Sequence, residues 1–175
     1  MKKKLKTYIL DTSAILAGKP LNLDNLVTTP GVSKEFKPGG RDYRFFQFLI
    51  EKGLTIQTPS KKTIDKIKTM ASKTGDLSRL SDTDFEILAV AYEIKKQKEN
   101  VVILTDDYSI QNLAAYLDIK FENIKQNGIT KKFKWITQCR GCGKKFKENI
   151  NKCPICGSTT KNIVCHMEDI KKKQR

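Results

Sequence analysis

The spacing of apolar positions changes period several times along the chain, and the period separates strands from helices. "TYIL" (7–10) and "VVIL" (101–104) are unbroken runs, as expected of strands covered on both faces. "LTIQT" (54–58) and "IKFEN" (119–123) read as two further strands. Between them the apolar positions recur at helical spacing. In "RDYRFFQFLIEKG" (41–53) Phe45, Phe48 and Leu49 share a face, and Gly53 suits the C-terminal stop. "SKKTIDKIKTMASKTG" (60–75) sets Ile64, Ile67 and Ala71 on one side behind a Ser60 cap. "SDTDFEILAVAYEIKKQ" (81–97) turns Ile87, Leu88, Ala91 and Ile94 inward, and "SIQNLAAYL" (109–117) is a fourth helix. This alternation predicts an α/β layer, a mainly parallel central sheet flanked by helices.

The texture changes near residue 125. A turn at Asn127–Gly128 leads into the basic, aromatic strand "KKFKWITQC". The expected organisation is a first domain over 1–126, a linker over 127–132, a small cysteine module over 133–168 and a basic tail over 169–175. "EDIKKKQR" has no apolar pattern and reads as frayed. All five cysteines lie beyond residue 138, four of them spaced as Cys139-x2-Cys142 and Cys153-x2-Cys156. Two intervening residues let both sulfurs reach one ion, so the four predict a single structural Zn²⁺ in a zinc ribbon rather than disulfides. A module of about 35 residues is too small for a sufficient core, so the metal supplies much of its folding energy. Cys165 is expected to pack as a small apolar residue. His166 beside it is a poorer ligand candidate than the four cysteines.

Composition adds a partner. The formal net charge is +15, and residues 131–175 carry 13 basic and 3 acidic side chains. Lys131, Lys132 and Lys134 flank Phe133 and Trp135, while Arg140, Lys144, Lys145 and Lys147 surround the cysteine knuckles. Basic residues interleaved with aromatics suit phosphate contact and base stacking, which points to RNA. A plainly solvated lysine-rich surface, with Trp135 in the ribbon's own core, is the alternative. No run approaches the ~20 apolar residues of a membrane helix. "MKKKLKTYIL" begins like a secretory signal but breaks at Asp11 without a cleavage site, so a cytoplasmic protein is expected.

The candidate chemistry is acidic. Asp11 ends the first apolar strand, and Asp106 and Asp107 end "VVIL". Asp84 lies in the first turn of the 81–97 helix, and Glu35 in "VSKEFK". Each has a local role available: Asp84 in a capping box with Ser81, Asp106 as a helix cap, Glu35 as surface. If the two strands are neighbours, however, Asp11 and Asp106 converge. Carboxylates held together repel by about 1 to 4 kcal/mol per pair, which a hard divalent ion relieves. The one histidine, His166, rules out a two-histidine acid–base ribonuclease. A phosphodiester cut here would run through metal-activated water. Thr12, Ser13 and Thr105 would orient water or phosphate, or simply cap helices.

"YILDTSAIL", "SDTDFEILAVA" and "VVILTDDYSIQNLA", in this order over residues 5–123, resemble the PIN-domain nucleases. With the four-cysteine module behind them, the chain resembles the archaeal and eukaryotic Nob family. The resemblance implies an endoribonuclease that trims the 3′ end of precursor small-subunit (16S) rRNA during ribosome biogenesis. It implies Asp11, Glu35, Asp84 and Asp106 around one or two Mg²⁺ or Mn²⁺ ions, with Asp107 competing for the fourth place and Asp82 auxiliary. The products would carry a 5′-phosphate and a 3′-hydroxyl. The partners would be RNA, the small-subunit precursor and its assembly factors. Two other readings stand beside it: a toxin-like or quality-control PIN ribonuclease with another RNA target, and a non-catalytic RNA-binding assembly factor.

Overall fold

A computed structural model describes residues 6–18, 25–97, 100–125 and 128–170. The two apolar runs become β1 (Thr7–Leu10) and β4 (Val101–Leu104), paired in parallel with Leu10 opposite Leu104. β2 (Leu26–Thr28), β3 (Thr55–Ile56) and β5 (Lys120–Glu122) complete a five-stranded sheet in the order β3-β2-β1-β4-β5, every pair parallel. The mainly parallel sheet flanked by helices is therefore present. The chain winds outward from β1 through β2 to β3, then crosses to β4 and β5 on the other side. The reversal falls between β1 and β4, and crevices at the carboxyl ends of such strands bind ligands.

The helices are α1 (Thr12–Leu16), α2 (Pro30–Glu35), α3 (Arg41–Glu51), α4 (Lys61–Thr74), α5 (Asp82–Gln97) and α6 (Tyr108–Tyr116). Ile87, Leu88, Ala91 and Ile94 of α5 are buried as expected, and so are Ile67 and Ala71 of α4. Helix α3 is rotated from its expected phase. Phe46 and Leu49 are buried while Phe48 is 48% exposed, because Phe46 stacks flat on Phe36, ring centroids 4.7 Å apart.

The second sheet is antiparallel, in the order β7-β6-β8: β6 (Lys131–Cys139), β7 (Lys145–Phe146) and β8 (Thr160–Asp169). β6 and β8 pair from Lys131↔Asp169 to Cys139↔Thr160, so both legs of the ribbon start at the nuclease-like layer. The end of β8 is held there. The Ile170 N–H donates to the Thr130 carbonyl (3.0 Å), and its side chain is buried in the main core. The segment expected to fray is thus ordered as far as Ile170. Its remainder, and Asn127 of the expected turn, lie outside the described residues.

Two polar residues on the buried side of α6 join the layers. Asn112 holds the Phe133 backbone at both ends, donating through Nδ2 to the carbonyl (2.9 Å) and accepting the N–H at Oδ1 (2.6 Å). Gln111 accepts the Ile129 N–H (3.0 Å) and donates to the Thr105 carbonyl (2.9 Å). Gly75 ends α4 with φ +81°, and a Cβ there would overlap the Trp135 carbonyl, so only glycine lets β6 approach so closely.

Candidate active site

The register of β1 and β4 brings the candidate acids to one edge. Asp11 caps α1, its Oδ1 accepting the Thr12 N–H at 2.6 Å. Its Oδ2 accepts the Ser13 hydroxyl (2.9 Å) and the Thr105 hydroxyl (2.7 Å). Burial raises the Asp11 pKa; these three hydrogen bonds oppose that, and the Asp107 charge adds to it. Glu35 joins Asp11 through Thr12, whose hydroxyl donates to Glu35 Oε2 at 2.6 Å. The helix that carries Glu35 is tied to α5 where the Gly31 N–H meets Glu86 Oε2 at 2.7 Å. The hydroxyls of Thr12, Ser13 and Thr105 thus orient carboxylates.

Asp84 forms the capping box with Ser81: Oδ2 accepts the Ser81 N–H (2.7 Å) and the Asp84 N–H reaches Ser81 Oγ (3.2 Å). Its pKa is raised by burial, and then by the charges of Asp107 and Asp11 against the Ser81 bonds. Capping accounts for one oxygen of Asp84 and leaves the electrostatic coupling unexplained. Asp107 likewise caps α6 with Oδ1, accepting from Ser109 (2.6 Å) and Ile110 (3.3 Å). Its own N–H donates to Thr105 Oγ1 (3.0 Å).

Asp106 goes elsewhere. Its Oδ1 accepts the Ile124 N–H at 2.7 Å and its Oδ2 the Lys125 N–H at 3.2 Å, which pins the turn after β5. The expected cap of α6 is supplied by Asp107, not Asp106. Asp82 pairs with Lys68 at 3.0 Å on the surface. The structure therefore brings Asp11, Glu35, Asp84 and Asp107 together and turns Asp106 and Asp82 away. Beyond burial, the Asp107 charge raises the pKa of Asp11 and of Asp84, yet among the described residues no three of the four acids bring oxygens within 4.8 Å of one another.

The cysteines are closer. Sulfurs of Cys139, Cys142, Cys153 and Cys156 all lie within 4.8 Å of one another, with Cys139–Cys156 at 3.4 Å and Cys142–Cys153 at 3.6 Å. Four thiolates about 2.3 Å from one tetrahedral ion sit about 3.8 Å apart, so the group can hold a metal ion. The Ser158 hydroxyl and N–H lower the Cys156 thiol to about 6, while against the Lys144 N–H the neighbouring thiols and burial push Cys142 up to about 11. Cys165 lies apart and exposed rather than packed, its thiol donating to the Lys134 carbonyl (3.3 Å). His166 faces Glu168 (3.2 Å). Of the basic candidates, Lys131, Lys134, Arg140, Lys144, Lys145 and Lys147 are exposed. Lys132 instead pairs with Glu168 (2.9 Å) and lies over the Tyr116 ring, and Trp135 lies under the Arg79 guanidinium at 4.2 Å. Those two serve the junction between the layers. Gln111 and Asn112 escaped the sequence reading; the signal was two amides inside an otherwise apolar helical stretch.

Among the described residues, no helix is long and apolar enough to cross a membrane. A family model described as the PIN domain of ribonuclease matches residues 8–94. The chain is 41% identical over 164 residues to "Endoribonuclease Nob1" of Pyrococcus abyssi, covering 91% of this chain and 94% of that protein. It is 36% identical over 156 residues to "Ribonuclease VapC1" of Thermoplasma acidophilum, covering 88% and 76%. It is 31% identical over 102 residues to the "20S-pre-rRNA D-site endonuclease NOB1" of Saccharomyces cerevisiae, covering 55% of this chain and 22% of that one. The convergent acids, the four-thiol ribbon behind them and a match running nearly end to end with an archaeal relative have one reading: the chain belongs to the Nob1 family of PIN-domain endoribonucleases.

Proposed function

We propose that the chain cuts precursor small-subunit (16S) rRNA at its 3′ end, using Asp11, Glu35, Asp84 and Asp107 as the acids that hold Mg²⁺ or Mn²⁺. The observation that carries this reading is the meeting of Asp11, Asp84 and Asp107 at the carboxyl edge of β1 and β4, where, beyond burial, the Asp107 charge raises the pKa of Asp11 and of Asp84. The yeast relative, a 20S-pre-rRNA D-site endonuclease, supports the substrate. A divalent ion bound there would supply charge neutralisation and an activated water for hydrolysis to a 5′-phosphate and a 3′-hydroxyl. The chain's own part is orientation. Ser13 and Thr105 fix Asp11, Thr12 fixes Glu35, and the caps of α5 and α6 fix Asp84 and Asp107. Asp106 is a positioning residue that sets the turn beside them. One structural Zn²⁺ suits Cys139, Cys142, Cys153 and Cys156, and the exposed lysines of the ribbon suit the RNA backbone.

The likeness to a VapC ribonuclease favours a second reading, another RNA as target. Incubating the protein with a precursor spanning the 3′ end of small-subunit rRNA, with Mn²⁺ and with Mn²⁺ plus chelator, separates the two. One Mn²⁺-dependent cut at the mature end, lost in Asp11→Asn, is the expected result. Equal cutting of unrelated RNAs favours the second reading, and RNA binding without any cutting overturns both.

A further inference from the structure

Asp11, Asp84 and Asp107 sit at helix starts and are held there by their own caps. Glu35 sits at the far end of α2, a helix of six residues, so its place depends on what holds that helix. The first turn of α2 is held partly from outside. Pro30 has no N–H, and Thr29 Oγ1 accepts the Val32 N–H at 3.4 Å. The Gly31 N–H leaves the helix and donates to Glu86 Oε2 of α5 at 2.7 Å. An N–H on a carboxylate is among the stronger hydrogen bonds. Gly31 also lets α5 come close: a Cβ there would lie 2.9 Å from Glu86 Oε2 and from Thr83 Oγ1.

Gly31 and Glu35 are four positions apart, so they share one side of α2, about 6 Å apart along its axis. Glu86 holds one end of that line. Thr12 holds the other, its hydroxyl donating to Glu35 Oε2 at 2.6 Å. The buried Val32 and Phe36 press the helix onto the core beside it. Glu86 lies two positions beyond Asp84 on α5. Its bond to Gly31 therefore ties the helix of one acid to the helix of another. We propose that Glu86 is a positioning residue of the acid site, which by its reach sets Glu35 at the distance from Asp84 that a shared divalent ion needs. This rests on the acids holding such an ion, and is separable from it.

Two variants distinguish reach from charge. Glu86→Gln keeps the length and an acceptor oxygen and loses the charge. Glu86→Asp keeps the charge and is one methylene shorter. Mn²⁺ affinity is read on the zinc-loaded full chain without RNA, from the paramagnetic resonance signal of the free ion. Glu86→Asp should weaken Mn²⁺ binding by about tenfold, the lower end of what loss of an outer support costs a metal site. Glu86→Gln should leave it unchanged. In a Glu35→Ala background Glu86→Asp should have no further effect, because the helix it holds no longer carries a ligand. Unchanged affinity in Glu86→Asp, an equal loss in Glu86→Gln, or the same loss without Glu35 would overturn the positioning role and leave the acid-site reading standing. Mn²⁺ binding that is absent from the wild type, or unchanged in Asp11→Asn, would overturn both.

Discussion

Asp11 accepts three hydrogen bonds, one of them from Thr105, which lies beside it across β1 and β4. One position beyond Thr105, a single step along the chain changes what a carboxylate does. Asp106 grips two backbone amides beyond β5, and Asp107 turns its charge toward Asp11 and Asp84. Asp107→Asn is therefore expected to abolish cleavage while leaving RNA affinity intact. Asp106→Asn should cost about 1 to 2 kcal/mol of stability through the amides it frees, and leave cutting detectable. Denaturant midpoints and cleavage rates on the two variants check this pair. A pH effect follows from the same residues. Burial raises the folded-state pKa of Asp11, Asp84 and Asp76 above the value of the unfolded chain. Between the two values the folded form binds more protons, so stability falls as pH rises through that window. Without divalent cations, Tm should climb as pH is lowered from neutrality toward the free carboxylate value. Added Mn²⁺ should raise Tm at neutral pH, and that increment should shrink on acidification. A flat Tm profile would contradict this reading of the acids.

At the scale of elements, the ribbon is docked rather than tethered. Asn112 holds β6 by two backbone bonds, Ile170 closes β8 against Thr130, and Gly75 lets Trp135 sit on the end of α4. Asn112→Ala should cost about 1 to 3 kcal/mol, since two bonds to β6 and one to Asp76 are lost. Gly75→Ala should loosen the junction as well, through its positive φ and the overlap with Trp135. Protease susceptibility near residues 128–135 reads both; unchanged protection would argue against a docked ribbon. Part of this was legible in the sequence. "TYIL" and "VVIL" announced buried parallel strands, because covering both faces of a strand forces an unbroken apolar run. The spacing of the four cysteines announced that their sulfurs meet, because two intervening residues let both thiols of a pair reach one point. Leu26–Thr28 escaped, since three residues carry too short a pattern to show a period. The phase of α3 escaped because phenylalanines at 45, 46 and 48 leave the inward face open, and Phe36, distant along the chain, decides it. Asp106 and Asp107 could not be told apart, because their directions depend on the backbone at a strand end.

For the whole molecule, two thirds of the net charge lies in the ribbon and its tail, while the acids lie on the nuclease sheet. In the proposed reading the cationic part would hold the RNA backbone and the acidic part would act on one phosphate. Reversing the charge of Lys144, Lys145 and Lys147 should weaken single-stranded RNA binding and reduce the slope of log affinity against log salt by about 2. Unchanged slope would place the RNA elsewhere. With a metal held by the four cysteines as proposed, stripping it should unfold the ribbon and leave the five-stranded layer folded, which amide exchange can follow residue by residue.

End-group analysis of RNA cut by the wild-type chain, by Asp107→Asn and by Asp106→Asn bears most directly on the acid site. The expected result is a 3′-hydroxyl and a 5′-phosphate from wild type and Asp106→Asn, and no cut from Asp107→Asn. A 2′,3′-cyclic phosphate, or full cutting by Asp107→Asn, would contradict it.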